Sequence, residues 1–498
     1  MIVAPPTRFR WNKRDTTIVI LLASLAALLR FIRLGIPPAF VFDETYYAKD
    51  ACLYIGNSQQ FCGLEQATEQ SYVHPPLGKW LIAGGIRLFG YSSWGWRVAA
   101  AAAGTALVAA VYILTRKLFR DRWIAGIAGL LVATDFLLIV QSRIAMLDIF
   151  LALFVVMGFM FLSFDRERIL AFRENWEGTV PRPPPAREME WRFAAGASFG
   201  LALAVKWSAI MALVAAAGLA LAWSIGIIRM KNKHPAALAE SRWPNWGSEI
   251  GVGLVALLVL PAVVYLSSYS VYFADRLAES CPFVVPKAEK GRLVSGGSFG
   301  LDGGNCIKGP LGAAASFVDL HDRMLDYHLT LKADHDYQSR AWTWPLVRRP
   351  VAYYYPSGQS KSIHILAFGN VATWYAALAA GVWLLGRSFR KWRAESVVTL
   401  AWAAQYVPWL FVSRPLFFFY MTPIAPFMMI GLAAGLSALR DIGRLPRWAV
   451  IGFIVIGVGL MTIYFYPVLA AVGLPHELWR SRMWYPPSTC GDLKCGWI

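Results

Sequence analysis

The chain has 498 residues, 57% of them hydrophobic and 16% charged, with a net charge of +18. Soluble domains average about 45–50% apolar and roughly 25% charged residues. The composition therefore excludes an ordinary soluble enzyme, a disordered protein and a small disulfide scaffold. An aromatic content of 14%, with 22 Trp, suits a chain that has two membrane–water interfaces to anchor.

About 20 apolar residues in a helix cross a hydrocarbon core. That window predicts an all-α polytopic membrane protein with eleven spans. They run 17–34, 96–115, 123–140, 145–163, 193–206, 207–228, 250–273, 365–386, 396–413, 417–439 and 448–468. The fifth is short and parts from the sixth at Lys206-Trp207. The expected organisation is a basic stub at 1–16 and a transmembrane half at 17–273 with a first outer loop at 35–95. A second outer loop follows at 274–364, then a C-terminal transmembrane half at 365–468 and an outer tail at 469–498.

Cations alternate along this order. Clusters stand at Arg8 to Arg14, Arg116 to Arg122, Arg166 to Arg192, Arg229 to Arg242, Arg387 to Arg393 and Arg440 to Arg447. The connections between them are short and carry one cation each, Arg143, Lys206 and Arg414, or are long and cysteine-bearing. The positive-inside rule puts the N-terminus in the cytoplasm and the C-terminus outside. The first span follows a basic stub with no small-residue cleavage site behind it and reads as a retained anchor. All six cysteines, Cys52, Cys62, Cys281, Cys306, Cys490 and Cys495, then fall outside, two per long segment. Paired cysteines on the oxidising side read as disulfides. Local pairing is the simplest of the 15 connectivities that six cysteines allow.

Four segments carry chemistry. Phe42-Asp43-Glu44-Thr45-Tyr46-Tyr47 places two carboxylates just past the first span. A carboxylate there can serve as a general base if a hydroxyl comes within reach; the plainer reading is the solvated cap of an interfacial helix. His74-Pro75-Pro76-Leu77-Gly78-Lys79 has stiff prolines that would fix His74 and Lys79 at the mouth of the bundle. Arg97, Arg143 and Lys206 lie near the outer ends of spans, and Asp148 lies inside one. Ionisable groups at that depth are expensive and mark functional sites or structural pairs. Together the cations would make a positive pocket suited to a lipid phosphate, with Asp148 equally placed to pair with one of them. In the second outer loop, Phe317 to Leu331 has helical spacing. His321, Asp322, His328, His335 and Asp336 invite a metal reading, but no standard zinc spacing is present. Gly296 to Gly300 lacks the βαβ context of a nucleotide loop.

Taken together, these segments resemble the protein O-mannosyltransferases, membrane glycosyltransferases of the C-type superfamily. The further segments are Leu203-Ala204-Val205-Lys206-Trp207, His335 to Arg340, Asn370 to Trp374 and Ser413 to Tyr420, and the likeness runs in order over nearly the whole chain. The 274–364 loop is too short for the trefoil domain of eukaryotic members plus its flanks, so the chain resembles the shorter bacterial, actinobacterial type. The resemblance implies transfer of mannose from polyprenyl-phosphate mannose to Ser or Thr hydroxyls of exported proteins, by inverting displacement at the outer face of the cell membrane. Asp43 occupies the family's base position, with Glu44 beside it as orienting partner. Arg97, Arg143 and Lys206 would neutralise the donor phosphate, His74 and Lys79 would position it, and Asp148 and Arg414 would support the site. No cofactor or metal is demanded, and nothing supports a divalent cation. The implied partners are the lipid donor, secreted acceptors, the bilayer and the secretion machinery, with no nucleic acid. Another lipid-phosphate-sugar transferase of the superfamily, acting on a lipid or glycan, remains the alternative. A transporter fits less well because no internal repeat is visible.

Overall fold

The computed structural model describes residues 11–56, 58–64, 71–174, 190–232, 246–284, 306–332, 334–356, 360–388, 394–490 and 492–497. The Pro181 to Pro185 and Gly296 to Gly300 stretches, and much of the basic loops, lie outside them. The numbered helices are α1 (Lys13–Phe31), α2 (Glu44–Ile55), α3 (Leu77–Phe89), α4 (Ser93–Phe119), α5 (Arg122–Thr134), α6 (Phe136–Arg143), α7 (Asp148–Glu174), α8 (Glu190–Val205) and α9 (Ala209–Asn232). They continue with α10 (Trp246–Ser267), α11 (Ser270–Ala278), α12 (Gly309–Thr330), α13 (Val371–Ser388), α14 (Ala394–Tyr406), α15 (Ala425–Asp441) and α16 (Arg447–Leu469). Among the described residues, five helices are long and apolar enough to cross a membrane: α4, α7, α9, α10 and α16. The bent pair α5–α6 makes a sixth if counted as one span.

Polar side chains decide where the helices start and how their ends meet. Asn12 and Asp15 form a capping box on α1. Asp15, fully buried, also takes Arg116 Nε at 2.8 Å, Tyr112 Oη at 2.9 Å and Arg122 Nε at 3.1 Å. One carboxylate thus binds the start of α1 to the end of α4 and the start of α5. Arg192 of α8 makes a second buried knot, with Asp165 of α7 at 2.8 Å and Glu249 of α10 at 3.3 Å. Buried charges persist only when paired in this way. Beside that knot, α8 crosses α10 so closely that a Cβ on Gly196 would collide with the Ala256 carbonyl. Ala256 sits in a π-helical turn, Val255–Val259.

Besides 250–273, which parts at Ser268-Tyr269 between α10 and α11, and 396–413, which turns 3-10 at Val407, three predicted spans differ from the structure. The 123–140 run breaks at Asp135, where α5 and α6 bend by 54°. Asp135 is extended, caps α6 through Leu138 N at 3.1 Å and accepts Trp374 Nε1 at 2.7 Å. The 365–386 run begins instead as strand β4 (Ile365–Ala367), paired antiparallel with β3 (Val351–Tyr354), and its helix starts at Val371. The 417–439 run opens with a 3-10 turn, Phe418–Met421, and becomes α-helical at Ala425. The break expected at Lys206-Trp207 is present: α8 ends at Val205 and α9 begins at Ala209. The helix expected over 317–331 is the later part of α12.

The cysteines pair locally as Cys52–Cys62, Cys281–Cys306 and Cys490–Cys495, with Cα separations of 6.5, 5.8 and 5.5 Å. Two of these clasps hold small hairpins, β1 (Phe283–Val284) with β2 (Cys306–Ile307) and β5 (Thr489–Cys490) with β6 (Leu493–Lys494).

Candidate active site

Asp43 stands at the N-cap of α2 and accepts a hydrogen bond from Tyr47 Oη at 3.3 Å, one turn along the helix. The preceding residue, Phe42, has φ +52°. A bulky side chain in this left-handed region costs of order 1–3 kcal/mol and persists where its surroundings impose it. Here they do. The Phe42 ring packs on Tyr353, with centroids 4.8 Å apart, and Val41 N–H donates to Glu44 Oε2 at 2.8 Å.

Glu44 and Arg97 build the frame that holds this turn. Glu44 is fully buried and accepts Arg97 Nε at 2.7 Å, Arg97 Nη2 at 2.8 Å and Ala145 N at 2.8 Å. The remaining Arg97 N–H groups reach the carbonyls of Leu34, Pro37 and Ala39 at 3.1, 2.9 and 2.8 Å. All five donors of the guanidinium are occupied, so Arg97 has none left for a phosphate. This corrects the expectation that it binds the donor, and it makes Glu44 a structural anchor that has no exposed oxygen for catalysis. Two more expected phosphate ligands are engaged by protein partners. Arg143 Nη1 caps the end of α1 through the carbonyls of Leu29, Arg30 and Ile32 at 3.0, 3.0 and 2.7 Å. Lys79 is buried against Asp50 at 2.9 Å and the Ser71 carbonyl. Depth marked Arg97 and Arg143 in the sequence and the stiff prolines marked Lys79; their partners, on other segments, were not visible there.

What remains converges on one cavity of about 220 Å³, lined by His74, Asp148, Lys206, His328, Arg414 and Tyr420 among others. Lys206, in the α8–α9 break, pairs with both oxygens of Asp148 at 2.9 and 3.0 Å, and its ammonium lies 5.3 Å from the Tyr420 ring centroid. Asp148 begins α7, where a negative charge suits the helix dipole. Arg414 lies 5.8 Å from the Tyr420 ring and has no ion pair among the described residues. With Asp148 offset by Lys206, the wall keeps one net positive charge from Arg414. His74 closes the top with His328 stacked on it, centroids 5.4 Å apart. Gly78 leaves room for that loop: a Cβ there would lie 2.7 Å from Leu147 Cδ2, next to Asp148.

Asp43 stands outside the cavity lining but feels its charges. Its carboxyl is partly open to solvent yet set deep in protein, and this desolvation pushes it up to about 6. The Lys206 charge opposes that shift and Asp148 adds to it. Burial also drives His74 well below its ordinary value, aided by Lys206 and His328, so its imidazole is neutral. Tyr47 was not singled out in the sequence, and His328 only in the metal reading. Tyr47 could have been found from its helical spacing to Asp43. The histidines of the metal reading separate. Both ring nitrogens of His321 are engaged, Nε2 with Tyr265 Oη at 2.6 Å and Nδ1 with the Phe317 carbonyl at 2.8 Å. Asp336 instead pairs with Lys494 at 2.7 Å. Among the described residues no group of three His, Cys, Asp or Glu could hold a metal ion.

Known proteins resemble the chain over most of its length. A family model described as dolichyl-phosphate-mannose-protein mannosyltransferase matches residues 20–93 and 92–276, and one for the C-terminal four-span region of protein O-mannosyltransferase matches 313–488. The polyprenol-phosphate-mannose–protein mannosyltransferase of Mycolicibacterium smegmatis (strain MKD8) is 31% identical over 94% of this chain and 91% of its own. The protein of the same name in Corynebacterium glutamicum is 29% identical over 97% and 95%. The solved Saccharomyces cerevisiae Pmt1–Pmt2 complex bound to the sugar donor shares the fold, with a TM-score of 0.71 at 15% identity over 97% of this chain and 94% of that one. The chain belongs to the protein O-mannosyltransferase family of multi-pass membrane glycosyltransferases.

Proposed function

We propose that the protein transfers mannose from polyprenyl-phosphate mannose to Ser or Thr hydroxyls of exported proteins, at the outer face of the cell membrane. Its eleven spans would leave the N-terminus in the cytoplasm and the long cysteine-bearing segments outside, where acceptors arrive from the secretion machinery. The observation that carries the reading is a raised carboxyl, Asp43, tied to Tyr47 beside a cavity with a net positive wall.

The chemistry is a single displacement. The acceptor oxygen attacks the sugar C1 as the bond from C1 to the phosphate oxygen breaks, with inversion at C1. The hydroxyl proton passes to Asp43, and the departing electron pair stays on the lipid phosphate. Arg414 and Lys206 stabilise that charge in a site where electrostatic interactions are strong. Arg97 and Glu44 act on the reaction through the turn they hold, as positioning residues. A base with its pKa near the working pH is well matched to this step.

The test is mannosyl transfer by the purified protein from labelled polyprenyl-phosphate mannose to a Thr-rich peptide, with the anomeric configuration of the product read by NMR. Inverted product on the Thr oxygen supports the reading. Sugar transfer to a lipid or glycan but not to the peptide, or retained configuration, overturns it.

A further inference from the structure

One polar atom of a residue that lines the cavity has no counterpart in this mechanism. His328, on α12, bonds through Nε2 to the Val73 carbonyl at 3.0 Å. A carbonyl only accepts, so Nε2 must carry the ring proton. Burial pushes His328 down to about 4, and the nearby Arg414 charge acts in the same direction. The ring is therefore neutral at physiological pH, and Nδ1 holds a free lone pair. That atom is buried and has no hydrogen-bond partner among the described residues, while its residue lines the cavity. His321, two turns earlier on the same face of α12, has both nitrogens satisfied.

Buried polar atoms are seldom left unpaired, and an orphan calls for a partner. A lone pair repels phosphate oxygens, so the partner must be a donor. Lys206 and Arg414 in the same cavity serve the phosphate, and the sugar bonded to that phosphate is the nearest source of hydroxyl groups. We propose that His328 Nδ1 accepts a hydrogen bond from a hydroxyl of the donor's mannose ring, which makes His328 a sugar-recognition residue. Its Nε2 bond to Val73 fixes the tautomer, and the His74 ring stacked on it fixes the plane.

The inference rests on the proposed mannose donor and is tested with a short-chain polyprenyl-phosphate mannose and its monodeoxy analogues, measuring kcat/KM for transfer to a Thr peptide. Two variants separate the ring's two nitrogens. His328→Gln can still reach the Val73 carbonyl but offers no acceptor at the Nδ1 position. His328→Asn keeps an acceptor there and loses the Val73 bond. In the wild type, one deoxy analogue should lose about tenfold, the scale of one neutral hydrogen bond. In His328→Gln, transfer from the mannose donor should fall by about the same factor and that analogue's extra penalty should vanish. In His328→Asn the penalty should persist. If the Gln variant does not accumulate, His328→Phe replaces it, with the same expectation. Deoxy penalties identical in wild type and the acceptor-less variant overturn the inference, as does a change confined to the peptide KM. Failure of the wild type to use the mannose donor at all would instead overturn the proposed function.

Discussion

Replacing Arg97 by Ala removes five hydrogen bonds at once and leaves Glu44, with no solvent exposure, as a buried carboxylate held by two backbone N–H groups. Breaking a buried pair by deleting one partner costs about 3–5 kcal/mol. The freed carbonyls of Leu34, Pro37 and Ala39 add to that where water does not reach them. Against a typical native stability of about 5–15 kcal/mol, the loss is a large fraction of the total. Lysine at this position keeps the charge but not the fork, so Arg97→Lys should recover only part of it. The assay is thermal unfolding of purified variants in detergent, with membrane abundance and donor binding measured on the same preparations. Arg97→Ala should unfold far below wild type and accumulate poorly, with Arg97→Lys between them. An unchanged unfolding temperature combined with weakened donor binding would refute the reasoning, because it would mean the guanidinium serves the phosphate and not the loop that carries Asp43.

Arg414→Ala should behave in the opposite way to Arg97→Ala: the protein stays folded and donor affinity drops roughly 10- to 150-fold, the scale of a charge-assisted hydrogen bond, in a donor-binding assay. Lys206→Ala should lose both stability and turnover because it strands Asp148, and adding Asp148→Asn should restore unfolding temperature without restoring transfer. The pH dependence has a definite sign. Asp43 accepts a proton only when ionised and is pushed up to about 6, so kcat/KM should fall as pH drops through about 6, and a profile flat from pH 5 to 8 would contradict the assignment. After reduction, an impermeant thiol reagent should label Cys62, Cys281, Cys306 and Cys490 on intact cells, Cys52 and Cys495 being buried, and labelling of those four that requires permeabilisation would overturn the proposed sidedness. Of the three bridges, Cys281–Cys306 should stabilise most, by about 3.5 kcal/mol against about 2 for Cys490–Cys495 in the chain-entropy treatment, because it spans 25 residues and not 5.

Much of the helix order was legible because apolar windows report burial in lipid, as at α4, α7, α9 and α16. The same windows cannot see a break made by one capping carboxylate, so Asp135 was absorbed into a span. They also cannot tell a buried strand from a helix start, so Ile365 to Ala367 was read as helix although it pairs with Val351 to Tyr354. The site was legible in part. Asp43, His74, Asp148, Lys206 and Arg414 are brought to one region. Arg97, Arg143 and Lys79 carry the same charge at similar depth and do something else. What separates the two sets is the partner: a glutamate 53 residues away for Arg97, a run of α1 carbonyls for Arg143, Asp50 for Lys79. Charge and depth are local properties of a sequence, whereas saturation of hydrogen-bond donors is a property of the fold. Arg414, with no ion pair among the described residues, and His328 Nδ1 took on their proposed roles only once the other groups were accounted for.

The central claim is that Asp43 is the base. Asn preserves the size of Asp and can still accept from Tyr47 Oη, but it cannot take up the hydroxyl proton. Mannosyl transfer by Asp43→Asn at saturating donor, measured beside donor binding on the same preparation, therefore tests the claim most directly. The account predicts a loss of about 10²–10⁴ in turnover with donor binding retained, since the phosphate is held by Lys206 and Arg414. Near-normal turnover would contradict it.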